Sequence, residues 1–420
     1  MLAEMRAGRG RFYYGWAVVG ALALAITSGY GILTYAFTVF VEPMHAELGW
    51  TVGQLTGAVS LAGIASVVLS PILGRLLDRH GSRLVMSLGT VAAALLLLAW
   101  SAVSRIEVFY VTIFLLTGAS VAVLYPPAFW TISNWFAKKR RRALTVLTFT
   151  GGFAAIIFTP LTQLLITSYG WRTTLVIYAV FLLCFNLPLL SIILRRRPED
   201  LGLAVDGGAP GDVAARQSST ATRRPGATLA IAMQQAGFWW LTAAFALNSI
   251  AIMFVLIHFV PLLTERGYAP AVAAAMYGLI GLASLPGRLV LTPLGERIPP
   301  GWISVAIFLT QTVGFAVLAL GRGSWTVILF LILFAAGFGA ISPSNAALIA
   351  DLFGVGYFGT IQGVIGMVID GSTAVILVLL AALRDYWGGY AQLTWVVMAI
   401  AALSAACMLV AWARRQIRWE

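Results

Sequence analysis

The chain has 420 residues, of which 60% are hydrophobic and 10% charged, against about 25% charged in a soluble domain. The apolar residues come in runs longer than the roughly 20 residues that cross a bilayer as a helix, and helices satisfy their backbone within such segments. The net charge of +12 does not indicate nucleic acid, because the cations fall in short clusters between runs and no basic helix face with interleaved aromatics stands out.

Residues 1–13 form a tail with Arg6, Arg9 and Arg11, expected in the cytoplasm. Span 1 is predicted from Tyr14 to Val41, too long for a signal-peptide core and expected to stay uncleaved. It ends before Glu42-Pro43-Met44, read as an outer loop that carries Glu47 and no Lys or Arg. Span 2 covers 51–77, span 3 84–104 and span 4 107–133, with a kink expected at Pro126-Pro127. The run Lys138-Lys139-Arg140-Arg141-Arg142 is a topology anchor, with contact to anionic lipid as a secondary role. Span 5 covers 143–169, with Gly151-Gly152 and Pro160, and span 6 covers 171–194. Arg195-Arg196-Arg197 then returns the chain to the cytoplasm.

Residues 195–236 hold the long polar segment, with Gly207-Gly208-Ala209-Pro210-Gly211, Ser218-Ser219-Thr220 and Arg223-Arg224-Pro225-Gly226. That composition predicts a flexible linker. Spans 7 to 12 follow at 238–263, 271–294, 302–320, 325–350, 358–383 and 391–412, and 414–420 is a basic tail. About twenty of the 27 cations fall in segments assigned to the cytoplasm and roughly five in outer loops, so both termini are expected inside. Cys184 and Cys407 lie within apolar runs and read as small packing residues, neither a disulfide nor a redox pair.

A shift of about 218 positions superposes landmarks: Leu76-x-Asp78-Arg79 on Leu294-x-Glu296-Arg297, Gly170 on Gly388, Gly63 on Gly281 and Ser66 on Ser284. The expected fold is therefore an all-α membrane protein of twelve helices in two pseudo-symmetric six-helix bundles, 14–194 and 237–413. Such parallel halves place substrate near the bilayer midplane between them. The second copy of the turn is degenerate, with Thr292 in place of Gly74 and Pro299-Pro300 following.

Two charges lie well inside predicted spans, Arg288 in span 8 and Asp370 in span 11. A membrane-buried charge is a functional-site hypothesis by default. A guanidinium presents a fork matched to a carboxylate, so Arg288 suits an organic anion, or a structural partner on a neighbouring span. Asp370 is a candidate proton site, a counter-ion to Arg288, or a buried structural acid. His258, near the outer end of span 7, titrates near neutrality or serves as a structural hydrogen-bonder. Tyr35, Tyr125, Asn248, Tyr277, Ser284 and Asn345 add polar groups within spans. There is no metal-type His/Cys spacing, phosphate loop or nucleophile elbow, so neither an enzyme nor a cofactor is expected.

Gly74-x-x-x-Asp78-Arg79-x-Gly81-x-Arg83 resembles the signature between spans 2 and 3 of the major facilitator superfamily. The resemblance implies a gating loop made by Gly74, Asp78, Arg79, Gly81 and Arg83. In it, Asp78 meets helix ends or arginines of a neighbouring span and locks one access state; the alternative is a topological turn with an incidental acid. Within the superfamily the chain is similar to the monocarboxylate transporters and the bacterial oxalate/formate antiporters. The shared stretches are Tyr14-Gly15-Trp16-Ala17-Val18-Val19, Thr38-Val39-Phe40, Gly81-Ser82-Arg83, Trp135-Phe136-x-Lys138-Lys139-Arg140, Pro160-Leu161-x-Gln163, Gly170-Trp171-Arg172 and Asp351-Leu352-Phe353-Gly354. In the animal members a span 8 Arg, an Asp four residues before it and a span 1 Lys carry substrate and proton. Here Arg288 matches the Arg, Ser284 stands in place of the Asp and Tyr35 in place of the Lys. The antiporters carry a span 11 Lys; Asp370 near that position would disfavour a dianion.

The expected function is secondary-active transport of a small, monocarboxylate-like organic anion by alternating access. Proton coupling would require Asp370. The alternatives are an efflux transporter for drugs or cationic, amphipathic metabolites, with Asp370 binding the cation, and a transporter-like membrane sensor. The expected partners are a small organic carboxylate and the lipid bilayer of the plasma (inner) membrane. The protein is expected to be monomeric.

Overall fold

In the computed structural model, residues 13–207, 226–294, 298–321 and 323–414 are described, and they contain helices and no strand. Among these residues eleven stretches are long and apolar enough to cross a membrane. One of them, Arg140–Ile193, runs for 54 residues, about 80 Å of helix against a hydrocarbon core of about 30 Å. It is two spans, parted where Gly170 adopts φ 80° and ψ 162°. That region is open essentially to glycine alone, so the residue that begins the sixth span also ends the fifth. The result is a twelve-span, all-α chain.

Span 1 is Tyr14–Tyr30, a π turn at Gly31–Tyr35, and Phe37–Leu48. Glu42-Pro43-Met44, expected as a loop, lies inside that last helix. The reason is packing: Phe40 and Met44, one turn apart, are both buried in the core that holds Trp100 and Phe109. Span 2, Val52–His80, opens on a capping box in which Thr51 and Gln54 bond reciprocally. Span 3 is Ser82–Ser101. Span 4 breaks at Leu124 between Ile106–Val123 and Tyr125–Trp135, beside the expected Pro126-Pro127 kink. Span 5 is Arg140–Gly151 continued by the helix Ala154–Phe181, which carries the Gly170 break. Span 6 closes with a π turn at Leu182–Asn186 and the helix Leu187–Ile193. Spans 7 to 12 are Ala236–Glu265, Pro270–Leu294, Pro300–Leu320, Ser324–Phe353, Phe358–Trp387 and Ala391–Ala413.

The chain forms two compact units, Met1–Gly226 with Val355–Met367, and Ala227–Gly354 with Val368–Glu420. Each has its own aromatic core. In the first, Trp100 packs on Phe40 at 5.2 Å and on Phe109 at 6.1 Å between ring centroids. In the second, Phe330 packs on Phe259, Phe315 and Phe334 at 5.3–5.5 Å. Cys407 is buried as expected, whereas Cys184 sits on the π turn of span 6 and is exposed. The polar segment after span 6 is not uniformly loose. Short 3-10 turns form at Pro198–Leu201 and Val205–Gly207, and Thr228 caps a helix at Leu229–Gln234.

A matching knot closes one end of each unit. In the first, Glu47 accepts from Trp171 Nε1 and from Arg172 Nε, while Arg172 Nη1 donates to the carbonyls of Ser101 and Val103 at the end of span 3. In the second, Glu265 accepts from the Tyr390 backbone N–H at 2.8 Å, and Arg266 donates to the Leu318 carbonyl. Both acids end the first span of their unit, and both receive a bond just after a left-handed glycine, Gly170 or Gly388. Glu47 and Glu265 stand 218 positions apart, as do the two glycines. The repeat is therefore present in contacts as well as in residues.

Gly170→Ala should lower the thermal midpoint of the purified protein by several degrees, because a Cβ in that backbone region costs about 1–3 kcal/mol. Gly20→Ala, at a helical position with open space around it, is the control and should not lower the midpoint.

Candidate functional site

The acid of the charged turn is buried. Asp78 lies in the last turn of span 2 at 6% exposure, while its neighbours Arg75, Arg79 and Arg83 face outward. An ionised carboxylate away from water needs donors on both oxygens. Asp78 Oδ1 accepts from the Gly359 N–H at 2.9 Å and from Trp130 Nε1 at 2.9 Å. Its Oδ2 accepts from the Thr360 N–H and the Thr360 hydroxyl, both at 2.7 Å. Gly359 and Thr360 are in the first turn of the Phe358–Trp387 helix, where backbone N–H groups lack an intrahelical acceptor and the helix dipole favours negative charge. Of the two alternatives, helix end or arginine, the acid has met the helix end.

Glycine makes this approach possible. A Cβ on Gly74 would run into the Gly359 carbonyl, one on Gly359 into the Gly74 carbonyl, and one on Gly363 into the Ser70 carbonyl. The start of the Phe358–Trp387 helix thus lies backbone to backbone along the end of span 2. Gly81 ends span 2 at φ 81°. Ser82 behind it is fully buried and accepts the Thr131 hydroxyl at 2.6 Å.

A second group of predicted residues comes together at the irregular points of the first unit. Tyr35 ends the π turn of span 1, and Tyr125 opens the second half of span 4. Tyr30 joins them, with ring centroids 6.3 Å from Tyr35 and 4.7 Å from Tyr125, and Tyr125 stacks on Phe129 at 5.0 Å. Tyr35 is 41% exposed. The break at Gly151 abuts this group, since a Cβ there would meet the Tyr125 hydroxyl. Two interrupted helices, spans 1 and 4, therefore bring three phenols together beside the break in a third, span 5. Tyr30 was not singled out by its sequence context; only its spacing from Tyr35 across the later π turn hints at it.

The candidates of the second unit are more scattered. Tyr277 and Ser284 are on span 8, seven residues apart and so on one face. Ser284 is 1% exposed and donates to the Gly281 carbonyl. Arg288 continues that register one turn later; its side chain lies outside the described residues, as do Thr292, Glu296 and Arg297. Asn345 is half-buried on span 10. Asp370 is exposed on span 11, one turn before Thr373, whose hydroxyl reaches Ser249 on span 7 at 3.4 Å. His258 Nδ1 pairs with the Tyr390 hydroxyl at 3.1 Å, beside the Glu265 knot. Asn248, also on span 7, donates to Gln311 on span 9 at 2.6 Å.

Residues that carry no charge or motif complete the site: Trp130, Gly359 and Thr360 around Asp78. Two of them act through backbone N–H groups, which leave no mark on residue type.

Asp78→Asn keeps the shape but replaces charge-assisted bonds with neutral ones, a loss of about 1 kcal/mol or more. Hydrogen exchange in residues 358–362 should accelerate about tenfold in the full-length protein. Gly74→Val, which cannot keep the approach at all, should accelerate it further.

Over most of its length the sequence is similar to known transporters. A family model described as the Major Facilitator Superfamily matches residues 21–376. Monocarboxylate transporter 13 of Rattus norvegicus is 25% identical over 386 residues, covering 90% of this chain and 84% of the relative. Monocarboxylate transporter 11 of Homo sapiens is 26% identical over 393 residues, covering 90% and 78%. Among solved structures, a proton:xylose symporter superposes with a TM-score of 0.74 over 94% of this chain and 95% of that one, at 12% identity. A model spanning most of the chain, on twelve spans with the glycine-fitted Asp78 turn, establishes the family: the chain is a multi-pass membrane transporter and belongs to the major facilitator superfamily.

Proposed function

We propose that the protein carries a small organic monoanion by alternating access, with Arg288 binding the carboxylate. The similarity to monocarboxylate transporters over 90% of the chain supports the substrate class, and Arg288 is a cation well inside a span whose register also carries Tyr277 and Ser284. A guanidinium in an apolar span requires a counter-charge, and a carboxylate matches its fork. In this reading Tyr35 and Tyr125, which the helix interruptions bring together through Tyr30, and Asn345 on span 10 are further polar groups assigned to substrate.

Asp370 and His258 are the groups assigned to proton or charge coupling. Ser284 replaces the acid that the animal transporters carry, so an acid elsewhere must take the proton if coupling occurs. Asp370 is an acid well inside span 11. Asp78 is the pin of the gating loop, and its contact with the Phe358–Trp387 helix holds one access state. We assign residues 14–194 and 237–413 to the two bundles and 195–236 to the segment joining them. The cation distribution supports cytoplasmic termini; a monomer in the inner membrane completes the proposal.

Arg288→Ala in proteoliposomes should lower uptake of labelled monocarboxylates at least 100-fold in kcat/KM, about 3 kcal/mol for a desolvated ion pair left unmade. Arg288→Lys should also fail, because an ammonium cannot reproduce the fork. Normal transport by either variant would remove the assignment.

Asp370→Asn should abolish uptake driven by a pH gradient while leaving counterflow exchange. Retained pH-driven uptake would exclude Asp370 as the proton carrier.

A further inference from the structure

We propose that residues 195–207 form a strap that positions the Asp78 latch, with Asp206 as its removable pin. The strap leaves span 6 and ties together the ends of spans 2 and 4 and the turn before span 5. At its start, the Arg195 carbonyl accepts from Trp135 Nε1 at 3.2 Å, at the end of span 4. Next, Arg196 Nη2 donates to the Asp78 backbone carbonyl at 3.1 Å, and the Arg196 stem lies where a Cβ on Gly81 would be. The chain then turns through Pro198–Leu201, with Asp200 accepting from the Arg197 N–H at 3.1 Å and Leu203 N–H returning to the Pro198 carbonyl.

At its far end, Asp206 receives three consecutive backbone N–H groups. Its carboxylate accepts from Ala137 at 3.0 Å, Lys138 at 2.7 Å and Lys139 at 3.1 Å. These donors precede the Arg140–Gly151 helix, and two of them, Lys138 and Lys139, open the cluster of five cations. Asp206 pays for the reach with a left-handed backbone, φ 59°, the one positive-φ residue other than glycine among the described residues. Such a conformation costs about 1–3 kcal/mol and persists where its surroundings over-determine it. Tyr13 seals the end of the strap, with its ring against Gly207 and its hydroxyl on the Trp135 carbonyl at 3.1 Å.

The mechanical consequence concerns Asp78. Three of its four donors lie on one helix turn, so a small rotation of the span 2 end breaks those three bonds together. Arg196 holds that end from behind by the carbonyl of Asp78 itself, and Trp130, on the span 4 segment braced by the Arg195 carbonyl, holds the carboxylate. Releasing Asp206 frees the strap at its far end and leaves it held at its start by the Arg195 carbonyl and Arg196. The inference rests on reading Asp78 as a state-dependent latch.

The test is hydrogen exchange of the full-length protein in nanodiscs, read in two places. Asp206→Asn and Asp206→Gly should both raise exchange in residues 137–142, and should also raise it about fivefold in 358–362. The glycine variant relieves the strained backbone, so an effect shared by both belongs to the lost carboxylate. Arg196→Gln cuts the strap at its other attachment and should produce the same rise in 358–362 while Asp206 stays in place. Exchange in residues 101–109, at the Arg172 knot, should not move and reports that the fold is intact. Opening of 137–142 with 358–362 unchanged would overturn the strap, and no change at 137–142 would overturn Asp206 as its pin. Asp78→Asn with the strap intact tests the latch separately: failure to open 358–362 there would sink that reading and not the pin.

Discussion

A buried carboxylate bonded to the first turn of another helix is the constraint from which the rest of the first unit follows. Moving an ionised carboxylate out of water costs several kcal/mol even after relaxation. Asp78 offsets that cost with four donors, three of them from Gly359 and Thr360 alone. The donors are all neutral, so the helix dipole supplies the remaining favourable field. Such an arrangement has no half-made form. If the turn moves by an ångström, the acid loses most of its partners together and must be rehydrated. That demand explains the glycines at 74, 359 and 363, because a Cβ at any of them would hold the two backbones apart.

The opposite end of the unit is built on different chemistry. Glu47, Trp171 and Arg172 bind through side chains as well as backbone, and Arg172 stacks over the Trp171 ring at 4.2 Å. Glu47 and Arg172 are both well exposed, so water screens their ion pair and it contributes little by itself. Its value is geometric: Arg172 also donates to two carbonyls at the end of span 3, where helix carbonyls lack intrahelical partners. The second unit repeats the motif with Glu265, Tyr390 and Arg266, replacing the ion pair with a backbone bond. What the two copies share is an acid at the end of the first span and a left-handed glycine at the start of the sixth.

The spans were legible because bilayer thickness imposes a length and cation clusters interrupt the runs. Breaks were legible where a residue type enforces them, as at Gly170 and Pro126-Pro127. They were hidden where it does not: the π turns at Gly31–Tyr35 and Leu182–Asn186 contain ordinary residues, and Glu42-Pro43-Met44 reads as a turn although Phe40 and Met44 carry the helix onward. At the candidate site, Asp78 stood out by its spacing, but its partners did not. The segment after Arg197 read as loose because its composition is polar; the bonds that hold Asp206 run to backbone N–H groups whose side chains, Ala137, Lys138 and Lys139, say nothing of the contact. Glu265 is legible through the repeat, since its offset from Glu47 equals that of the two glycines.

This pattern has a physical basis that bears on how the proposed transport cycle is controlled. Asp78, Arg196 and Asp206 all address backbone atoms of neighbouring loops and helix ends. A backbone N–H or carbonyl cannot swing away by changing rotamer, as a lysine or glutamate partner can. The contact therefore breaks when an element moves as a body and holds until it does, whereas an exposed ion pair yields gradually and weakens with salt. Charges aimed at backbone suit a joint that must be either shut or open, and charges aimed at side chains suit an end that must stay assembled through both states. In the first unit the joint is at the cation-rich end, and the Glu47 knot at the other mixes side-chain and backbone partners.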